Sequence, residues 1–280
     1  MTYAITGASG HLAGLTAEHV LQRVDPSDVV LISRRPHELT RFGGVTTRAG
    51  DFTRPDTLRS AFDGVDTLLL VSTDVLAGRL EQQRAAITAA AEAGVERIVY
   101  TSVPNPVDTN PALAVPSHAG TEHALRDSGL RWTVLRNNLY AHMQLPVLQQ
   151  AGATGQLVTN VADGRTAYVT REDCAAAAAA VLVGDGHDAA IYDITGPDAV
   201  GADDLAALAS ELANKPVTVA HVSDDDLTAG YIDAGLPPEV AQLLVSFGAS
   251  TRLGYLDTVT TAVADLTGHQ PTSLRDSIGL

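Results

Sequence analysis

The first fourteen residues constrain the fold more than any other stretch. Tyr3-Ala-Ile-Thr6 is an apolar run of strand length, and Leu15-Thr-Ala-Glu-His-Val-Leu21 has apolar residues at helical spacing. Between them lies Gly7-Ala-Ser-Gly10-His-Leu-Ala13-Gly14. A strand, a tight glycine turn and a helix in that order build a dinucleotide-binding unit. Gly7 permits the sharp turn, and Gly10 lets the backbone approach a pyrophosphate. Ala13 and Gly14 keep the helix near the sheet, and the helix start presents free N–H groups to the anion. The expected cofactor contacts here are Gly7, Ser9, Gly10, His11 and Leu12. The spacing is G-x-x-G-x-x-A rather than G-x-G-x-x-G. Glycines after a first strand also form plain turns, so the following segments carry the decision.

Asp28-Val-Val-Leu-Ile-Ser33 reads as a second strand, followed at once by Arg34-Arg35-Pro36. An NAD site places an acid at the end of this strand for the ribose 2′-hydroxyl, whereas an NADP site places arginine there for the 2′-phosphate. Ile32 and Ser33 leave no acid, so NADPH/NADP+ is the expected cofactor and Arg34 its 2′-phosphate ligand. Val45–Ala49 is a third strand ending in Gly50-Asp51-Phe52. Asp51 and Phe52 flank the adenine position; a turn acid and a core ring are equally open readings of the two.

Pro55 to Phe62 reads as a short helix, and Val65–Val71 as an apolar fourth strand closed by Ser72 and Thr73 on the nicotinamide side. Arg79 to Ala93 is a helix stopped by Gly94, and Arg97–Ser102 is a fifth strand. A proline-rich loop from Pro104 to Pro116 leads to a helix over Ser117–Ser128, then to a sixth strand, Arg131–Leu135, running into Arg136-Asn137-Asn138-Leu139-Tyr140. Repeated strand–helix alternation means a parallel sheet with right-handed crossovers, whose ligands sit beyond the carboxyl ends of the strands. The expected fold class is therefore α/β, a Rossmann-type doubly wound parallel sheet with a smaller α+β C-terminal substrate lobe. Residues 1–150 form the NADP(H)-binding domain, with later segments adding to it. Residues 151–280 form a substrate-covering lobe that is not independent: strands near 156–158, 190–195 and 217–222, helices at 171–182 (capped by Thr170) and 203–213, and short helices from Asp224 onward.

Bulk properties narrow the partners. The chain has 280 residues and a 45% apolar fraction, which suits a packed globular protein. No apolar run approaches the roughly 20 residues of a membrane span. The N-terminus opens straight into a strand, so no signal peptide is expected and the location is cytoplasmic. Cys174 is the only cysteine, which excludes an internal disulfide and a cysteine-based zinc site; no other metal-ligand spacing stands out. With a net charge of −15 and Lys215 as the single lysine, the surface repels nucleic acid and anionic membrane. The expected partner is a small molecule; a homodimer is an open possibility.

The motifs Thr6-Gly-Ala-Ser-Gly-His-Leu-Ala13, Ser33-Arg-Arg-Pro36, Tyr100-Thr-Ser102, Thr121-Glu122 and Arg136-Asn-Asn-Leu-Tyr140 resemble the atypical short-chain dehydrogenases of the NmrA-like group. The pattern is most similar to its NADPH-dependent quinone oxidoreductases, with the triarylmethane-dye reductases next, and it runs over essentially the whole chain. The resemblance implies hydride transfer directly from nicotinamide to a quinone, carbonyl or conjugated electrophile without flavin. The group also contains non-catalytic members that sense NADP(H) redox state, which is the alternative. Two positions depart from the superfamily's Tyr-x-x-x-Lys pair: Ala119 stands for the tyrosine and His123 for the lysine. His123 is thus expected at the nicotinamide ribose, or as a proton donor.

Hydride addition leaves negative charge that needs a proton or a hydrogen-bond donor. The catalytic candidates are Ser102, His123, Asn137 and Tyr140. Ser102 and Asn137 are alternatively groups that satisfy the backbone, and Tyr140 a half-buried ring. His118 is either a pocket residue or a solvent-facing residue at a helix start.

Overall fold

The computed structural model of the protein describes residues 1–73 and 75–280. The elements run β1 (Tyr3–Thr6), α1 (His11–Leu21), β2 (Val29–Ser33), β3 (Thr46–Ala49), α2 (Leu58–Ala61), β4 (Thr67–Leu70), α3 (Arg79–Glu92), β5 (Arg97–Ser102), α4 (Val115–Asp127) and β6 (Arg131–Asn137). They continue with α5 (Gln144–Thr154), β7 (Gln156–Thr159), α6 (Arg171–Val183), β8 (Ala190–Ile194), α7 (Ala202–Ala213), β9 (Thr218–His221), α8 (Asp224–Asp233), α9 (Pro238–Arg252), α10 (Ala262–Thr267) and α11 (Leu274–Ser277). Seven strands form a parallel sheet in the order β3-β2-β1-β4-β5-β6-β8. The order reverses between β1 and β4, which opens a crevice at their carboxyl ends.

Every residue of β1, β2, β4 and β5 is buried. Strands covered on both faces read as unbroken apolar runs, and that is why these four were visible in the sequence. One core cluster lies between the sheet and α1, α6 and α10; a second lies between the sheet and α2, α3 and α4. Side chains such as Ile5, Leu31, Leu69 and Phe62 are inaccessible to solvent, each contributing about 1.5–3 kcal/mol of burial. In α6 the run Ala175–Ala180 is buried throughout, because only small side chains let this helix lie flat against the sheet and alongside α1.

The strand at 190–194 joins the main sheet as the partner of β6, with Leu135 opposite Tyr192. The helices α6 and α10 also pack on the sheet. The lobe proper is a parallel pair, β7 and β9, with α5, α7 and α11 around a third cluster that includes Leu148, Leu157, Leu205 and Leu274. Sheet unit and lobe thus interleave along the chain rather than meeting at residue 150. Among the described residues, no helix is long and apolar enough to cross a membrane.

Candidate active site

Gly7 takes φ +65° at the end of β1, a backbone conformation that favours glycine. The Gly10 N–H then donates to the Gly7 carbonyl at 2.8 Å, and the Ala8 N–H to the Ile32 carbonyl at 3.0 Å, which fixes the turn against β2. Ser33 Oγ donates to Ser9 Oγ at 3.2 Å across the same seam. A side chain at Gly10 would put its Cβ only 3.2 Å from the Gly7 carbonyl oxygen. No side chain caps α1, so its first N–H groups are available to an anion. Gly7, Ser9, Gly10 and His11 are exposed around that helix start. The side chain of Leu12 is buried in the core under α1, so what it offers a ligand is its backbone.

The cations near the end of β2 are distinguished by their pairing. Arg35 is bonded to Glu38 at 2.9 Å, Arg41 to Glu18 at 3.4 Å and Arg54 to Asp56 at 3.7 Å. Arg34 is exposed and makes no hydrogen bond or ion pair with a described residue. Asp51 lies close enough for Arg34 to act on it, but one carboxylate oxygen, Oδ1, accepts from the backbone and hydroxyl of Thr53 at 2.9 and 2.8 Å. That is a turn acid. Phe52 is half-buried against the core cluster beneath α2 and α3.

At the ends of β4 and β6 two polar atoms are buried without a partner among the described residues: Thr73 Oγ1 and Asn137 Oδ1. Buried polar atoms are nearly always satisfied, and this pair at the strand ends fits a polar ligand there; Gln83 in α3 and Ser250 in α9 carry such atoms away from the crevice. Beside Thr73, Ser72 is held in place: its N–H donates to Thr101 Oγ1 at 2.9 Å and its Oγ accepts from the same hydroxyl at 3.3 Å. The amide of Asn137 reaches the hydroxyl of Tyr140 at 3.5 Å. Burial raises the Tyr140 hydroxyl well above the usual phenol range, so it stays protonated.

Ser102 is not a free donor. Its hydroxyl donates to Glu122 Oε1 at 2.8 Å, and both are buried. Glu122 also accepts from Arg136 Nε and Nη2 at 3.0 and 2.9 Å and from Arg126 Nη2 at 2.8 Å. Burial alone would raise this carboxyl, but the bonds from Arg136 and Ser102 outweigh it and hold the group ionised below its usual range. With its proton directed at a carboxylate, Ser102 anchors α4 to β5. In the sequence Glu122 stands only as part of the Thr121-Glu122 motif. Its role was hinted at by the Glu122/Arg126 spacing of four on one helix.

His118 is a buried residue, 4% exposed, and not a solvent-facing one. Arg79 Nη1 lies 3.2 Å from its Nε2, and Tyr100 Oη 2.7 Å from its Nδ1. A guanidinium only donates, so Nε2 accepts and the proton sits on Nδ1, pointing at the tyrosine oxygen. Burial first, and Arg79 second, push this imidazole down to about 3. His123 lies one turn beyond Ala119 on α4; it is exposed and has no hydrogen bond to a described residue. Among the described residues, no cluster of histidine, cysteine and carboxylate has a metal-holding geometry.

A Rossmann sheet with an uncapped helix behind its glycine turn, and an unpaired arginine at the end of β2, defines an NADP(H)-binding protein. The comparisons agree with that class. A family model described as NAD(P)H-binding matches residues 7–185. Quinone oxidoreductase 2 of Escherichia coli (strain K12) is 35% identical over 277 residues, covering 98% of this chain and 96% of that protein. An NmrA-like family domain-containing oxidoreductase of Aspergillus flavus is 30% identical over 293 residues, covering 99% of this chain and 94% of its own length. A solved structure, the NADPH-dependent quinone oxidoreductase of Escherichia coli complexed with NADPH, aligns with a TM-score of 0.95 at 35% identity, over 99% of this chain and 98% of that one. This chain belongs to the NAD(P)H-binding, NmrA-like oxidoreductases related to the short-chain dehydrogenases.

Proposed function

We propose that the protein is a cytoplasmic NADPH-dependent reductase that passes a hydride directly, without flavin, to a quinone or another flat conjugated electrophile. The observation that carries this reading is the unpaired Arg34 at one end of the crevice together with the orphaned Thr73 Oγ1 and Asn137 Oδ1 at the other. Together they fit a ligand with a phosphate at one end and an amide-bearing ring at the other. The glycine turn and the α1 N–H groups would hold the pyrophosphate, and Arg34 the 2′-phosphate. Phe52 and Asp51 would flank the adenine. Ser72, Thr73 and Asn137 would border the nicotinamide, with His123 at its ribose.

When bound, the reduced nicotinamide supplies the hydride. The chain's own task is to stabilise the charge that then develops on the substrate oxygen. Tyr140, kept protonated by burial and oriented by Asn137, is the donor within the crevice. His123, exposed at the edge of α4, would meet the nicotinamide ribose. Ser102 and Glu122 hold α4 in register with β5 and β6, so that His123 stays beside the strand ends.

Equilibrium titration with NADPH and NADH, followed by addition of quinones, ketones and enones, tests this reading. The expected result is a preference for NADPH that Arg34→Ala abolishes, and loss of NADPH absorbance once an electrophile is present. Equal affinity for NADH, or indifference to Arg34→Ala, would sink the NADP assignment. Binding of both redox forms with no turnover across the panel would identify a redox sensor instead.

A further inference from the structure

Beside the glycine turn lies a cavity of about 780 Å³. Ser9, Gly10 and His11 line one part of it; His142, Thr170 and Arg171, from the loop after β6 and the start of α6, line another. The charges in this cavity do not balance. Two acids line it, but Glu38 is already bonded to Arg35 at 2.9 Å and Glu172 to His19 at 2.7 Å. Arg41, also in the lining, is paired with Glu18. Arg171 has no carboxylate partner among the described residues. It touches only the imidazole of His142, through Nε at 3.1 Å and more closely through Nη2, and its guanidinium lies 5.9 Å from the centre of the Tyr140 ring.

A neutral imidazole has a single acceptor nitrogen, so Arg171 keeps most of its N–H donors for another partner. Its position is also wrong for helix stability. It is the first residue of α6, where the helix dipole disfavours a cation. His11 belongs to the same field: burial, then Arg171, then His11 depress the His142 imidazole. An uncompensated guanidinium with two histidines, in a chain of net charge −15, is a place built for an anion.

We propose that Arg171, assisted by His142 and His11, grips the pyrophosphate of the dinucleotide from the α6 side, opposite the α1 N–H groups. This rests on the cofactor reading given above. It adds a second anchor from a part of the chain more than a hundred residues beyond the glycine turn. Because the pyrophosphate is common to both nucleotides, Arg171 would serve NADPH and NADH alike, whereas Arg34 would serve only NADPH.

The test is equilibrium titration of the full-length wild type, Arg171→Met, His142→Asn and Arg34→Ala with NADPH and with NADH, at two salt concentrations, alongside urea unfolding without nucleotide. Methionine keeps the side-chain stem over Tyr140, so Arg171→Met is expected to unfold at the wild-type urea midpoint or slightly above it. It should bind both nucleotides roughly tenfold or more weakly, with the NADPH:NADH ratio unchanged and a shallower salt dependence. His142→Asn should weaken both in the same direction and by less. Wild-type affinity in Arg171→Met, or a changed NADPH:NADH ratio, would overturn the proposal while leaving the cofactor reading intact. A wild type that binds neither nucleotide would overturn both, and a ratio that Arg34→Ala fails to change would count against the cofactor reading alone.

Discussion

Burial of His118 makes this protein sensitive to mild acid, by an amount that follows from its surroundings. The imidazole is neutral in the folded chain, bonded to Arg79 and Tyr100, and its pKa is pushed from the usual 6.5 to about 3. In the unfolded chain it titrates near 6.5. Between those values the unfolded state binds the extra proton, so stability rises with pH and is lost as pH falls below 6.5. The loss at pH 5 is about 1.36 kcal/mol multiplied by 1.5 pH units, or about 2 kcal/mol. Carboxylates held low in the fold, such as Glu122, lose their contribution only below their ordinary range near 4.5, outside this window. The perturbation that isolates the effect is His118→Gln, whose amide can accept from Arg79 and donate to Tyr100 without titrating. Urea unfolding should show the variant less stable at pH 7.5 by about 1–3 kcal/mol, the cost of imperfect buried hydrogen bonds. At pH 5 that gap should shrink by about 2 kcal/mol, or reverse. A wild-type-minus-variant difference that stays constant from pH 7.5 to 5 would refute the assignment of a buried, neutral His118.

Three further perturbations test other parts of the structure. Glu122→Gln removes the charge that satisfies Arg126 and Arg136; because both arginines keep some access to water, the expected cost is about 2–3 kcal/mol by urea unfolding. Ser102→Ala should lower stability by about 1.5–3 kcal/mol through loss of a bond to a buried carboxylate, yet leave kcat within about threefold of wild type. A drop in kcat of a hundredfold with normal folding would restore Ser102 as a catalytic donor. Gly196→Ala places a Cβ 1.9 Å from the Tyr168 carbonyl oxygen, so it should destabilise the protein by at least about 3 kcal/mol or prevent its accumulation in folded form, as read by thermal melting.

What the sequence disclosed, and what it hid, divides along physical lines. Strands such as β2 and β4 were legible because burial on both faces leaves an unbroken apolar run, and the turn at Gly7 because few residues tolerate its backbone. The place of residues 190–194 was not, since a strand signal does not say which sheet receives it; the pairing with β6 does. Leu12 reads as a turn residue until the packing of α1 shows which way it faces. The bonds made by Ser102 and His118 were hidden for the same reason. Their partners lie 18 to 39 residues away, at Glu122, Tyr100 and Arg79, and nothing in local spacing announces a bond that only the crossover brings about. Arg34 was legible because an acidic chain with one lysine makes every cation conspicuous. The contact of Arg171 with His142 was not legible, since the two lie 29 residues apart and the threonine cap at 170 accounts for the local sequence.

The interleaving of sheet and lobe bears on how the active site can open. After β6 the chain leaves for α5 and β7, returns for α6 and β8, and leaves again for α7 through α9. It then returns for α10 and departs once more for α11, five passages in all. A door hung on five straps cannot swing about any one of them. A swing of the lobe would therefore have to bend all of these connections together, which favours small shared displacements over free rotation about one hinge. For the same reason, a cut in any single connection should leave the two parts associated.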